Sequence, residues 1–130
     1  MKSMIKWKAS LRNMGELKND AFVTDRETVK RILSSLGLCA RAGKLVFGVP
    51  MICEALRKGG KNMPVLVVEA SDTSQATHKK IADKTAYYQV MKVRIACDGA
   101  ALASALGKTS SLAAVAIIDR EMSKIVEKYI

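Results

Sequence analysis

Aromatic side chains are scarce: two Phe, three Tyr and one Trp make up 5% of the 130 residues. The core must therefore be aliphatic, and no row of stacking platforms for single-stranded bases is expected. Histidine occurs once, so a His-rich metal site has no second imidazole. That residue, His78, stands beside Lys79 and Lys80 on a predicted helix and reads as solvent-facing. No C-x-x-C pair occurs; Cys39, Cys53 and Cys97 are odd in number and widely spaced. They fit reduced, half-buried thiols of a cytoplasmic protein better than a disulfide framework or a zinc centre. No apolar run approaches the roughly 20 residues that a spanning helix needs, which argues against a membrane partner. Acidic residues are also short in supply. Twelve Asp and Glu against 22 Lys and Arg leave a net charge of +10. An excess of that sign attracts polyanions, nucleic acid first among them, and says nothing about fold.

A chain of this length suits one domain. Residues 1–23 read as a basic arm, with Met4, Trp7, Leu11 and Met14 at helical spacing but no cap or stop. It has no apolar core of the kind a secretory signal carries, and it is expected as a frayed or disordered extension. The globular part, residues 24–130, opens at "TDRE", where Thr24 and Glu27 fit a capping box. Val29, Ile32, Leu33, Leu36 and Ala40 make a helical stripe, and Gly43 supplies a left-handed stop. The run Leu45–Phe47 reads as a short strand, with Pro50 in the first turn of the next helix and Gly59-Gly60 at its end.

The alternation continues. "PVLVVEA" (64–70) is an apolar run of strand length, as in strands covered on both faces, and helix signals follow it to Tyr88. "VMKVRIAC" (90–97) alternates apolar and basic residues, so it is expected near a sheet edge. Asp98 caps a short helix, "LAAVAIID" (112–119) is a further buried strand, and Met122, Ile125, Val126 and Tyr129 line a last amphipathic helix. Helices and strands in this order define an α/β fold, a three-layer α/β/α sandwich around a four-stranded sheet.

Catalytic signals are weak. "LGKTSS" (106–111) looks like part of a phosphate-binding loop. A Walker A motif, however, needs Gly where Leu102 stands, and a strand rather than a helix follows. Asp72, Asp83, Asp98 and Asp119 are scattered where caps and turns want an Asp, and they assemble no acid–base pair. No catalytic residue, metal or cofactor is expected. The basic residues say more: Arg41, Lys44, Arg57, Lys58 and Lys61 gather near the ends of the first two helices. Together they suggest a phosphate-facing surface, and the helix opening after Gly48 adds unpaired N–H groups that favour phosphate oxygens.

Several segments carry a family resemblance. They are "LSSLGLCARAGKLVFG", "ALRKGG", "VLVVEASD", "KKIADKTAYYQV" and "LASALGK…AAVAIID". In this order, over residues 27 to 128, the chain resembles the small RNA-binding ribosomal superfamily of L7Ae and L30e type, most closely its short bacterial YlxQ-type members. The resemblance implies a non-catalytic binder of structured RNA, often a kink-turn, in ribosomal or other ribonucleoprotein particles. The ribosome or other proteins are further partners it implies. It places RNA at Lys44 and at Gly48, Val49, Pro50, Met51 and Glu54, with Arg41 close by in sequence. A second contact falls on Gly107, Lys108, Thr109, Ser110, Ser111 and Leu112. Strong kink-turn binders carry Gly-x-Asn-Glu-x-x-Lys at that helix start. Here Val49, Pro50 and Met51 follow Gly48, and Glu54 stands at the lysine position. The base-reading side chains are thus replaced, while Gly48 backbone and Lys44 phosphate contacts remain. Loss of that set also motivates a second reading, a protein-interaction module with an apolar knob at Val49, Pro50 and Met51.

Overall fold

The computed structural model describes residues 21–130. The arm read over 1–23 therefore lies, up to residue 20, outside the described residues. Its last three residues are not arm but strand: β1 (Ala21–Val23) pairs parallel with β4 (Met91–Ile95). The sheet consequently has five strands, not four, in the order β1-β4-β3-β5-β2. β1 escaped notice because three residues bounded by polar chain show too little alternation to read as a strand. β4, expected near an edge, lies one strand in from it.

The remaining elements follow the expected order. α1 (Arg26–Arg41) leads to β2 (Leu45–Phe47) and α2 (Val49–Lys58), then to β3 (Leu66–Glu69) and α3 (Gln75–Tyr87). After β4 come α4 (Gly99–Ala105), β5 (Ala114–Ile117) and α5 (Arg120–Glu127). Asp25 rather than Thr24 caps α1, accepting from the Thr28 N–H at 2.9 Å and from its hydroxyl at 2.8 Å. These bonds hold the Asp25 carboxyl below its usual range. Gly43 ends α1 with φ 72°, as the sequence suggests.

Strand alternation sorts the core into two layers. Leu66, Val68, Val93, Ile95, Val115 and Ile117 face Ile32 and Leu36 of α1, Leu102 of α4 and Val126 of α5. Val67, Ala114 and Ala116 face Ile52 and Leu56 of α2 and Ile81 of α3. Burial pushes the Cys39 and Cys97 thiols up from their ordinary value, and all three cysteines are free.

One charged side chain breaks this apolar pattern. Glu69 ends β3 on the α2/α3 side and is fully buried. Its Oε1 lies 3.3 Å from Lys92 Nζ on β4, and its Oε2 lies 2.8 Å from His78 Nδ1 in the first turn of α3. His78 is accordingly not a free surface residue. Each oxygen of the Glu69 carboxyl group thus has a nitrogen partner. The basic alternation in β4 thus reflects Lys92 pairing inside the molecule rather than a wet edge.

A buried ion pair is costly to break from one side, by about 3–5 kcal/mol, because the other charge stays behind unpaired. Lys92→Met is expected to destabilise by that amount in urea unfolding. Glu69→Leu combined with Lys92→Met should recover a large part of the loss. Simple additivity of the two single changes would show that the pair is not coupled.

Candidate functional site

β1, β2, β3 and β4 run in one direction and β5 runs against them. The segment preceding β5 therefore arrives at the same end of the sheet from which β2 departs into α2. At this end the Gly48 N–H donates to the Ala114 carbonyl at 3.0 Å, stitching the β2–α2 turn to the start of β5. Lys108 Nζ lies 4.3 Å from the centroid of the Phe47 ring, a cation–π contact that ties the 107–112 loop to the end of β2. The two segments that the sequence singles out thus form one continuous surface.

The β2–α2 turn is built for backbone recognition. Gly48 has φ 88° and ψ 150°, a conformation open in practice only to glycine. As N-cap it brings no side-chain acceptor, whereas Asp25, Ser74, Asp98 and Asp119 fill that role for the other four helices. The first N–H groups of a helix have no intrahelical acceptor. Pro50 has none to offer and Ile52 bonds back to the Gly48 carbonyl, while those of Val49 and Met51 meet no acceptor among the described residues. No acidic residue lies in the first turn of α2. Val49 packs partly into the α2/α3 cluster, while Pro50 and Met51 are exposed, Met51 by 58%.

Glu54, one turn on, is already engaged. Arg57 donates to its Oε2 at 2.7 Å and Lys58 stands 3.8 Å away. The hydrogen bond from Arg57 holds the Glu54 carboxyl below its usual range. The negative charge at the position where relatives of kink-turn type place lysine is therefore offset within α2.

The second segment is held from below. Gly107 at φ 75° closes α4, with its N–H on the Ser104 carbonyl and the Lys108 N–H on that of Ala103. Leu112 is an anchor that packs against the main core, while Gly107 through Ser111 are exposed. The Leu112 N–H donates to the Gly99 carbonyl at 3.1 Å. Gly99 is the residue that sequence reading missed. Its own N–H donates to Asp72 Oδ1 at 2.9 Å, and a Cβ there would lie 2.9 Å from the Leu112 carbonyl and collide with Ser111 Oγ. A glycine in the first position of a helix, with no turn to make, was the available signal.

Arg41 and Lys44 do not join this surface. Lys44 precedes β2, where its carbonyl accepts from the Ile118 N–H. Four residue steps along extended β2, at about 3.3 Å each, separate it from Gly48 by about 13 Å. Arg41 lies beyond it, in the last turn of α1. Among the described residues no group of His, Cys, Asp or Glu is arranged to hold a metal ion.

With this geometry in place, the comparisons are specific. Residues 30–127 match the Ribosomal protein L7Ae/L30e/S12e/Gadd45 family, and the chain belongs to it. Over 61 residues it is 34% identical to the RNA-binding protein YlxQ of Enterococcus faecium, a match covering 47% of this chain and 56% of that one. The match thus spans little more than half of that relative's length. A Bacillus halodurans protein of unknown function superposes with a TM-score of 0.67 at 30% identity, covering 76% of this chain and 95% of that one. A 15.5 kD RNA-binding protein of Giardia lamblia superposes with a TM-score of 0.65 at 17% identity, over 82% of this chain and 88% of its own, and shares the fold.

Gly99→Ala is expected to push the 107–112 loop off α4 and to cost about 1–3 kcal/mol, the range for forced overpacking. Urea unfolding measures it. An unchanged midpoint would mean that the loop does not rest on that glycine.

Proposed function

We propose that the protein is a non-catalytic binder of structured RNA that works through the joint surface of the β2–α2 turn and the 107–112 loop. The observation that carries this reading is the junction of the two segments at Gly48–Ala114 and Lys108–Phe47. It sets two free N–H groups, a helix N-terminus and a lysine side by side. Phosphate oxygens suit all three. Family membership and the RNA-binding name of the Enterococcus relative support the same reading.

The chemistry offered here is that of the backbone and of one cation. It selects an RNA by the shape of its phosphate path, such as a duplex sharply bent at a bulge, more than by its base edges. A kink-turn-like element of ribosomal RNA is the substrate class in which this geometry has its natural use, and the cytoplasm is its place. Among the described residues no helix is long and apolar enough to cross a membrane. Arg41 and Lys44 then serve as outlying contacts to a neighbouring phosphate rather than as part of the central site. The exposed Pro50–Met51 corner favours a second reading, a protein-interaction module. Partner proteins retained on the immobilised chain after nuclease treatment would support that alternative.

Neutralising one phosphate contributes about 0.7–0.9 to the slope of log affinity against log salt. Lys108→Ala and Lys44→Ala should each lower the slope by about that amount on a bulged-duplex RNA, and the double variant by about twice as much. Filter binding across a salt series reads this directly. A slope unchanged in Lys108→Ala removes the site, and no binding at low salt removes the function.

A further inference from the structure

Tyr87 is the most solvent-exposed large apolar side chain among the described residues, at 78%. Free phenolic rings are unusual in a chain with so few aromatics, and its setting holds this one firmly. The ring meets Tyr88 edge to face, with centroids 4.8 Å apart and planes at 84°. Tyr88 itself packs into the α2/α3 cluster. The pair sits where α3 stops. The Tyr88 N–H bonds the Lys84 carbonyl, that of Gln89 bonds the Ala86 carbonyl, and Gln89 takes a left-handed φ of 57°. Gln89 is the only non-glycine among the described residues to do so. The chain then turns at once into Val90, whose N–H returns to the Thr85 carbonyl. Tyr87 is thus an exposed ring on a braced backbone.

Its surroundings are cationic. Lys80 and Lys84 precede Tyr88 at successive four-residue steps on α3, and neither has a carboxylate partner within the ion-pair distance among the described residues. Asp83, the nearby acid, is bound to Lys79 at 3.0 Å. Asp83, Lys84, Tyr87 and Tyr88 line a shallow, open groove at the end of α3. α2 and α3 pack side by side over the same face of the sheet, and both begin at the end where the proposed RNA site lies. Tyr87 lies about 18 Å along α3 from its start.

We propose that this groove is a second RNA contact, in which an unpaired base stacks on Tyr87 while Lys84 and Lys80 meet the phosphates beside it. The proposal rests on the RNA-binding reading of the main site and extends it. A structured element docks at the β2–α2 turn and the 107–112 loop, and its single-stranded flank runs down the α2/α3 layer to Tyr87. An aromatic face accepts any base, and flanking cations give the strand its direction. Two lysines without carboxylate partners beside an exposed ring suit a polyanion that also carries flat bases.

The test uses the full chain with two RNAs, a bulged hairpin and the same hairpin carrying a single-stranded uridine extension. The extended RNA should bind more tightly. Tyr87→Ala should remove that advantage, a loss of roughly 5- to 100-fold for one stacked base, and leave the bare hairpin unaffected. Tyr87→Phe should keep the advantage, while Tyr87→Leu, apolar but without a π face, should lose it. Because the side chain is exposed, these variants should melt like the parent. Equal affinity of the two RNAs, or an extension effect indifferent to Tyr87→Ala, overturns the stacking site alone. Failure to bind either RNA overturns the main reading instead.

Discussion

The reversed direction of β5 is the constraint on which the rest of the molecule depends. If β5 ran with its neighbours, the loop before it would emerge at the far end of the sheet, and Lys108 could not reach Phe47. Inserted antiparallel between β3 and β2, β5 starts at the end where α1, α2, α3 and α4 all begin, so the loop before it is delivered there. Helix N-termini carry partial positive charge. In three of these four the charge is satisfied internally by Asp25, Ser74 and Asp98. The α2 terminus alone has no side-chain cap, and it is there that the proposed RNA surface lies.

At the same end the connections of β3 and β4 part to opposite faces of the sheet. Open α/β sheets commonly bind ligands at such a divide. Here it is closed by the chain itself. The Ser71 N–H donates to the Cys97 carbonyl, Asp72 takes the Gly99 N–H, and Glu69 joins Lys92 and His78 just below. Polar groups that could have met a ligand meet one another, and the proposed surface lies two strands across, at β5 and β2.

Much of this was legible in the residues. Gly43, Gly48, Gly59 and Gly107 all take positive φ, and each marks a helix boundary visible in the sequence. The aliphatic runs of β3 and β5 and the stripe of α1 identify the layers. Less legible was anything that depends on pairing between distant segments. Glu69 sits in an apolar run and gives no hint that Lys92 and His78 will reach it. β1 is too short to announce itself. The distance between Lys44 and Gly48 is invisible in a motif that prints them four residues apart, because a strand separates what a helix would have brought together. Tyr87 could be counted in the sequence but not placed, since its exposure depends on which face of α3 packs on the sheet.

β2 shows a further consequence of its brevity. It forms one edge of the sheet, and an edge strand is a template on which a second chain can zip its backbone. Only Leu45, Val46 and Phe47 present such a template, and glycines at φ 72° and 88° turn the chain away on both sides of them. A copy of the protein approaching this edge finds too few hydrogen bonds in line to hold it. Gly48, which shapes the mouth of the proposed RNA surface, thereby also guards the sheet against aggregation, with Gly43 doing so at the other end of the strand.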